Sequence, residues 1–433
     1  MTSLLIGAAA AAKHAVLVAG SSGWENYRHQ ADIAHAYTIL ASGGVPAENI
    51  ITMMYDDVAH SLWNPFRGKL YNQPDNATGA PAVDVYAAVK DHIDYRKGHV
   101  TPHNFLKVLT GDKSAPGRVL ESGPEDDVFV YFADHGAVGL LAFPNVLGVF
   151  PVRSLHADQL NDAFKTMKSK GMFKRLVFYT EACESGSMFD GILNASLGVY
   201  AVTAANAHES SYGWYCGGTT GANKVHGKSI GVCLGDEFSV RWMEDTDAAD
   251  ESRETLDAQF DAVQHKVTKS HVMRFGNLSF VASPLEAFLG DEKNASRLAA
   301  AAAVAGGSGV DSRDSRLHWL RWRLHVAQQS DSSTVEELLA AERAVATEEA
   351  SRRAATARFT AVWARVSGLD QRALAQTFLP PRRFECHRAV AREAALQYTD
   401  FSLQYHRVVV NLCEMGFTPT AIAAAFRAVD SGA

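Results

Sequence analysis

Two residues of complementary chemistry close two apolar runs of this chain. Leu176-Val-Phe-Tyr-Thr180 leads into Glu181-Ala-Cys183, and Val128-Phe-Val-Tyr-Phe132 leads into Ala-Asp-His135-Gly136. A thiol is a weak nucleophile until it is deprotonated; an imidazole beside it can take that proton and later hand it to a leaving amine. Cys183 and His135 therefore have the residue types of a nucleophile and its base. Gly136 can bring a backbone N–H close to a developing oxyanion. Taken singly, Cys183 reads more readily as a small buried apolar residue. A second group lies near the pair. Glu181 and Glu184 flank the thiol, Arg28 and His29 follow an earlier apolar run, and Asp236 follows Leu234-Gly235. An Arg with carboxylates offers donors and acceptors together, which suits a carboxamide. The same residues also serve as ordinary surface ion pairs, and sequence alone leaves both readings open.

Elements able to position these groups recur along the chain. Lys13 to Ala19, Ile50 to Tyr55, the two runs above and Val199 to Ala204 read as strands. Between them, Asn26 to Leu40 and Leu155 to Lys170 carry helical apolar spacing, and a further helix is expected from Val85. Residues 59 to 84 read as a long surface loop. Alternating strands and helices predict an α/β fold, a mostly parallel sheet flanked by helices. In such a sheet the loops at the carboxyl ends of neighbouring strands converge on one crevice, where Cys183 and His135 would meet. After Pro284 the pattern changes. An Ala- and Gly-rich stretch precedes helical spacing and a capping box at Thr334-Val-Glu-Glu337, which opens a long helix running to Gly368. The expected organisation is a tail at 1–12 (a signal remnant or a flexible end), an α/β domain at 13–285, a linker at 286–310 and an all-helical domain at 311–433.

Composition excludes several functions. With 47% hydrophobic and 21% charged residues the chain is an ordinary globular protein. A net charge of −7 argues against nucleic acid as a partner. No run of eighteen apolar residues predicts a membrane span. Neither Gly-Lys-Ser/Thr nor a complete dinucleotide pattern is present, so no cofactor is expected; the scattered histidines predict no metal. From Asp311 onward there are 16 Arg, no Lys and 14 acids, a charge of +2, which leaves −9 elsewhere. Five cysteines leave one over. In an oxidising compartment Cys216 with Cys233 and Cys386 with Cys413 make two short-range pairs and Cys183 stays free; in a reducing one all five are thiols. Asn-x-Ser/Thr triplets at Asn76, Asn194, Asn277 and Asn294 permit a secretory route.

His135 and Cys183 are 48 residues apart, near the ~50 of caspase-type proteases. Beyond that spacing the chain resembles the legumain family of caspase-like asparaginyl endopeptidases. The resemblance is carried by Asn26-Tyr-Arg-His-Gln-Ala-Asp32, Met54-Tyr-Asp-Asp57, Ala133-Asp-His-Gly136, Glu181-Ala-Cys-Glu-Ser-Gly-Ser-Met-Phe189, Leu234-Gly-Asp236, Trp242-Met-Glu-Asp245 and Ser270-His-Val-Met273. It implies that Cys183 is the nucleophile, His135 the base and Asn26 its orienting partner, with backbone N–H groups of Gly136 and Cys183 as oxyanion donors. Arg28, His29, Glu181, Ser211 and Asp236 would line the pocket for a substrate Asn, and Asp134 matches a succinimide-forming aspartate. The resemblance further implies hydrolysis after Asn, and after Asp in acid, with a transpeptidase using the same pair as the alternative and a non-catalytic interaction protein as the second. Its expected partners are Asn- or Asp-containing peptides and the chain's own C-terminal prodomain as inhibitor, with a dimer of the zymogen also allowed. The expected location is lysosome, vacuole or the secretory pathway.

Two departures stand out. Ala137 replaces a usual second Gly, in an unusual stretch at 138–153, and only Cys386 and Cys413 remain of two prodomain disulfides. The charge asymmetry suggests that carboxylates shared across the domain interface protonate in acid and free the tail, with the linker cut at Asn294.

Overall fold

The computed structural model describes residues 11–75, 81–144, 153–217, 222–248, 250, 252–290, 309–397 and 403–431. Most of the tail at 1–12, most of the linker, residues 145–152, Asn76 and Asn294 lie outside them. A six-stranded sheet is built from β1 (Lys13–Ala19), β2 (Ile50–Met53), β3 (Asp127–Ala133), β4 (Arg175–Glu181), β5 (Val199–Thr203) and β6 (Met273–Gly276). Their order is β6-β5-β4-β3-β1-β2, parallel throughout except for β6 against β5. Successive residues of each strand feed two different cores. Leu17, Tyr131 and Tyr179 enter one, while Val18, Phe132 and Phe178 enter the other. Helices cover both faces, which is why these strands read as unbroken apolar runs rather than alternating ones.

Two local expectations differ from the structure. The helix from Val85 is a single turn, Tyr86–Val89. The 59–84 stretch is not all surface, because Leu70 to Gln73 is buried. Asn72 Nδ2 there donates to Asp32 at 2.6 Å and to the Leu234 carbonyl at 3.1 Å, so the loop is a structural wedge.

The C-terminal part is helical: Ser315–Gln329, Val335–Ser367, Gln371–Gln376, Phe384–Gln397, His406–Glu414 and Pro419–Asp430. The long helix starts on the Thr334/Glu337 capping box and stops at Gly368, whose φ of 73° suits glycine. Phe359, Trp363, Val409, Leu412 and Phe426 form a separate core beside the Cys386–Cys413 disulfide. Two anchors tie this part to the sheet. Trp319 and Leu320 enter one face's core, and Phe384 enters the other's.

Candidate active site

β3 and β4 run side by side in register, with Ala133 opposite Glu181. The next residues therefore leave the sheet together, and Asp134 N donates to the Glu181 carbonyl at 3.0 Å. Gly136 sits against the thiol-bearing turn. A Cβ there would lie 2.6 Å from the Cys183 carbonyl oxygen and 2.9 Å from Ala182 Cβ, so only glycine fits. Ala137 follows in a short antiparallel sheet, Gly136–Ala137, Leu140–Phe143 and Arg153–His156, which forms a rim beside the site. The helix Tyr27–Ser42 starts beside β1 and delivers Asn26, Arg28 and His29 from its first turn.

The imidazole of His135 is held from one side. Asn26 donates through Nδ2 to the Ser22 carbonyl at 2.9 Å, and its Oδ1 lies 2.8 Å from His135 Nε2. Since an amide oxygen only accepts, Nε2 carries the proton and Nδ1 keeps its lone pair. Cys183 is buried and free of disulfide, and its sulfur accepts from Ser211 N at 3.3 Å. Burial pushes the thiol up to about 12, opposed by the Arg313 guanidinium. Burial also pulls His135 down to about 3, helped by Arg28 and Arg313. Both shifts favour a neutral thiol and a neutral imidazole.

The polar pocket is fully buried. Arg28 Nε donates to Asp236 Oδ1 at 2.7 Å; Glu181 Oε2 accepts from Ser239 N at 3.1 Å and Ser239 Oγ at 2.9 Å. His29 bonds Ser21 Oγ through Nδ1 at 2.7 Å and stands 3.4 Å from Asp134 and 3.5 Å from Asp236. Burial raises the Glu181 and Asp134 carboxyls well above their ordinary range and raises Asp236, while it holds His29 well below its own. His29, Asp134 and His135 could each offer one ligand atom to a metal ion within 4.8 Å of the others. Asn26 and Ser21 engage only one nitrogen of each ring, His135 Nε2 and His29 Nδ1. One wall is a strand pair, Tyr212–Trp214 against Gly235–Asp236, closed by the Cys216–Cys233 disulfide. Gly213 in it has no room for a Cβ, which would lie 2.9 Å from Cys233 Sγ and 3.3 Å from Arg28 Cδ.

Asp32, Ser239, Ser312 and Arg313 also belong to this constellation, and the sequence does not assign them to it. Asp32 lies one turn beyond Arg28 on the same helix, a spacing that could have marked it. Ser312 and Arg313 carry no such signal, because they come from the far side of the linker. Val310–Asp311 adds a third, antiparallel strand to Tyr212–Trp214, and Ser312 N donates to the Ser211 carbonyl at 3.0 Å. The Ser312 hydroxyl lies 3.3 Å from Ser211 Oγ and faces Asp236. It does not fill the pocket. Among the described residues Arg28 Nη2, Glu181 Oε1 and Asp236 Oδ2 are buried with no hydrogen-bond partner.

Comparison with known proteins agrees with this arrangement. The peptidase C13 family profile matches residues 13–291. The chain is 42% identical to the hemoglobinase of Schistosoma japonicum over 323 residues, covering 75% of this chain and 71% of that one. It is 46% identical to the legumain of Bos taurus over 286 residues, 65% of this chain and 60% of that one. It is 45% identical to the vacuolar-processing enzyme delta-isozyme of Arabidopsis thaliana over 285 residues, 64% of this chain and 58% of that one. The chain thus spans less than two thirds of the latter two relatives. A buried thiol and an Asn-held imidazole, leaving the same ends of two neighbouring strands that this family matches from end to end, make the chain a cysteine-type endopeptidase of the peptidase C13 family.

Proposed function

We propose that this endopeptidase cleaves after Asn, and after protonated Asp, and that its C-terminal part holds it closed as a zymogen. The observation that carries the reading is the path of residues 310–313. They pair with Tyr212–Trp214 as an extended peptide would, and they set one short polar side chain among Arg28, Ser211 and Asp236 beside the thiol. A substrate Asn in that place would give its carbonyl oxygen to Arg28 Nη2 and its amide N–H groups to Glu181 and Asp236, the very groups that Ser312 leaves unmet. An Asp side chain would repeat the contacts only when protonated, since two carboxylates already stand there.

In the open enzyme His135 Nδ1 takes the Cys183 proton, and the thiolate attacks the carbonyl carbon following the Asn side chain. The negative oxygen is met by the N–H groups of Gly136 and Cys183. The imidazolium protonates the leaving amine, and a thioester remains. Water, deprotonated by the same imidazole, releases the acid and restores the thiol. Asp134, buried beside His29, is the candidate for succinimide formation. A vacuolar, lysosomal or secretory setting is consistent with two disulfides, the exposed Asn194 triplet and the name of the Arabidopsis relative. No described helix is long and apolar enough to cross a membrane.

The test is to hold the full chain at about pH 4 and identify by mass spectrometry the bonds cut in a mixed peptide set. Cuts confined to Asn and Asp, abolished in Cys183→Ala, are expected. Activity that survives Cys183→Ala, or cuts after other residues, would overturn the reading. Adding a competing amine to the same assay reports whether water or an amine finishes the reaction.

A further inference from the structure

The residue after the pocket-bound serine meets a second recognition group. Arg313 Nη2 bonds both carboxylate oxygens of Glu184, the neighbour of Cys183, while Nη1 donates to Ser210 Oγ at 3.2 Å. The Glu184 carboxylate is not a loose surface charge. The residue is 5% exposed, and its backbone is held in the left-handed region at a φ of 48°. Its N–H donates to the Glu209 carbonyl at 2.7 Å, and its own carbonyl accepts from Ser187 Oγ at 2.6 Å. The carboxylate therefore has a fixed aim, one residue beyond the specificity pocket. The cations acting on it, Arg313 and Arg407, both belong to the C-terminal part. When that part leaves, this buried carboxylate loses both partners, and a buried charge stripped of its partner is costly.

We propose that Glu184 forms the subsite for the residue just after the cleaved bond and selects a basic side chain there, arginine above lysine. This rests on the substrate-like reading of residues 310–313. Arginine is favoured because its planar fork can meet Glu184 through one nitrogen and Ser210 Oγ through the other, as Arg313 does, whereas an ammonium presents a single point charge. An acidic residue in that position is disfavoured by like charge at close range. Cleavage after Asn therefore depends on the neighbour that follows it, and sites of the form Asn-Arg are cut first.

The test uses the full chain, opened in acid and assayed at pH 6, with peptides that differ only in whether Arg, Lys, Ala or Glu follows a single Asn. Arg is expected to exceed Ala about tenfold in kcat/KM, with Glu the poorest. Glu184→Gln should bring the Arg-to-Ala ratio within about twofold while cuts still fall after Asn. Equal kcat/KM for the four wild-type peptides overturns the subsite, as does a ratio that persists in Glu184→Gln. If Glu184→Gln does not fold, the wild-type series read at rising salt decides: a Glu184-based preference must shrink as the ions screen it. Failure to cut any peptide after Asn is a separate result, which removes the pocket reading and this subsite with it.

Discussion

Gly136 lies so close to Cys183 that a Cβ on the glycine would stand 2.6 Å from the cysteine's carbonyl oxygen. The contact is between two turns, and no flexible side-chain end is available to yield. Gly136→Ala must push the His135 turn away from the Cys183 turn. The expected result is a loss of at least a hundredfold in kcat with a stability cost of about 1–3 kcal/mol, read by peptide turnover and thermal melting. Wild-type turnover in a folded Gly136→Ala protein would show that the turns do not need this approach.

The Asn26–His135 bond makes a different prediction, because it orients the base without touching a substrate. Asn26→Ala frees the ring to rotate and should lower kcat/KM about tenfold to a hundredfold. Asn26→Asp puts a carboxylate 2.8 Å from Nε2 instead. A nearby negative charge raises an imidazole pKa, so the acidic limb of the pH–rate profile should move to higher pH. A profile unmoved by Asn26→Asp would remove Asn26 from this role.

These two contacts mark what could be read from the chain. Strands buried on both faces announce themselves as apolar runs, and a parallel register then obliges Asp134 and Ala182 to emerge together. Both statements need only local sequence. Ser312 and Arg313 could not be placed so, because their partners Ser211 and Glu184 lie more than a hundred residues earlier, and no periodicity links a pocket to its occupant. The burial of Leu70 to Gln73 is hidden in the sequence for a related reason. Its polar side chains look exposed in sequence, yet Asn72 is buried by an acid from another element.

The unmet groups around Ser312 predict the effect of a larger occupant. Ser312→Asn would supply the carboxamide that Arg28, Glu181 and Asp236 lack. It should turn the 310–313 segment into a substrate, cut after residue 312 in acid. A new C-terminal fragment beginning at Arg313 should appear at least tenfold faster than in the parent chain, as read by intact-mass analysis. If Ser312→Asn left that bond intact and opening unchanged, residues 310–313 would not lie on the nucleophile as a substrate does.

If the C-terminal part holds the enzyme closed as proposed, the charge asymmetry points to shared carboxylates as the acid switch, but the sign of the shifts favours histidines. The tail's arginines do pair with acids of the α/β part: Arg313 with Glu184, Arg388 with Asp158 and Arg316 with Glu25. But burial raises the Glu184 pKa, and a carboxyl that binds its proton more tightly in the closed form stabilises that form as pH falls. Three buried histidines behave oppositely. His156 of the α/β part and His387 and His406 of the tail meet at ring separations of 6.2 and 6.3 Å. Ser154, Asp158 and Arg388 face this group, and Glu414 lies 2.8 Å from His387 Nε2. Burial lowers His156 to about 3, His387 to about 4 and His406 well below its ordinary value. Closed-form stability is therefore complete above about 6.5 and is lost as pH falls toward those values. Each histidine that regains its ordinary value on opening therefore weights the open form more heavily as pH falls below about 6.5. His406→Asn and His156→Gln should each slow the appearance of activity at pH 5 by about tenfold and change little at pH 7. Rates that keep the wild-type pH dependence in both variants would return the switch to the carboxylates.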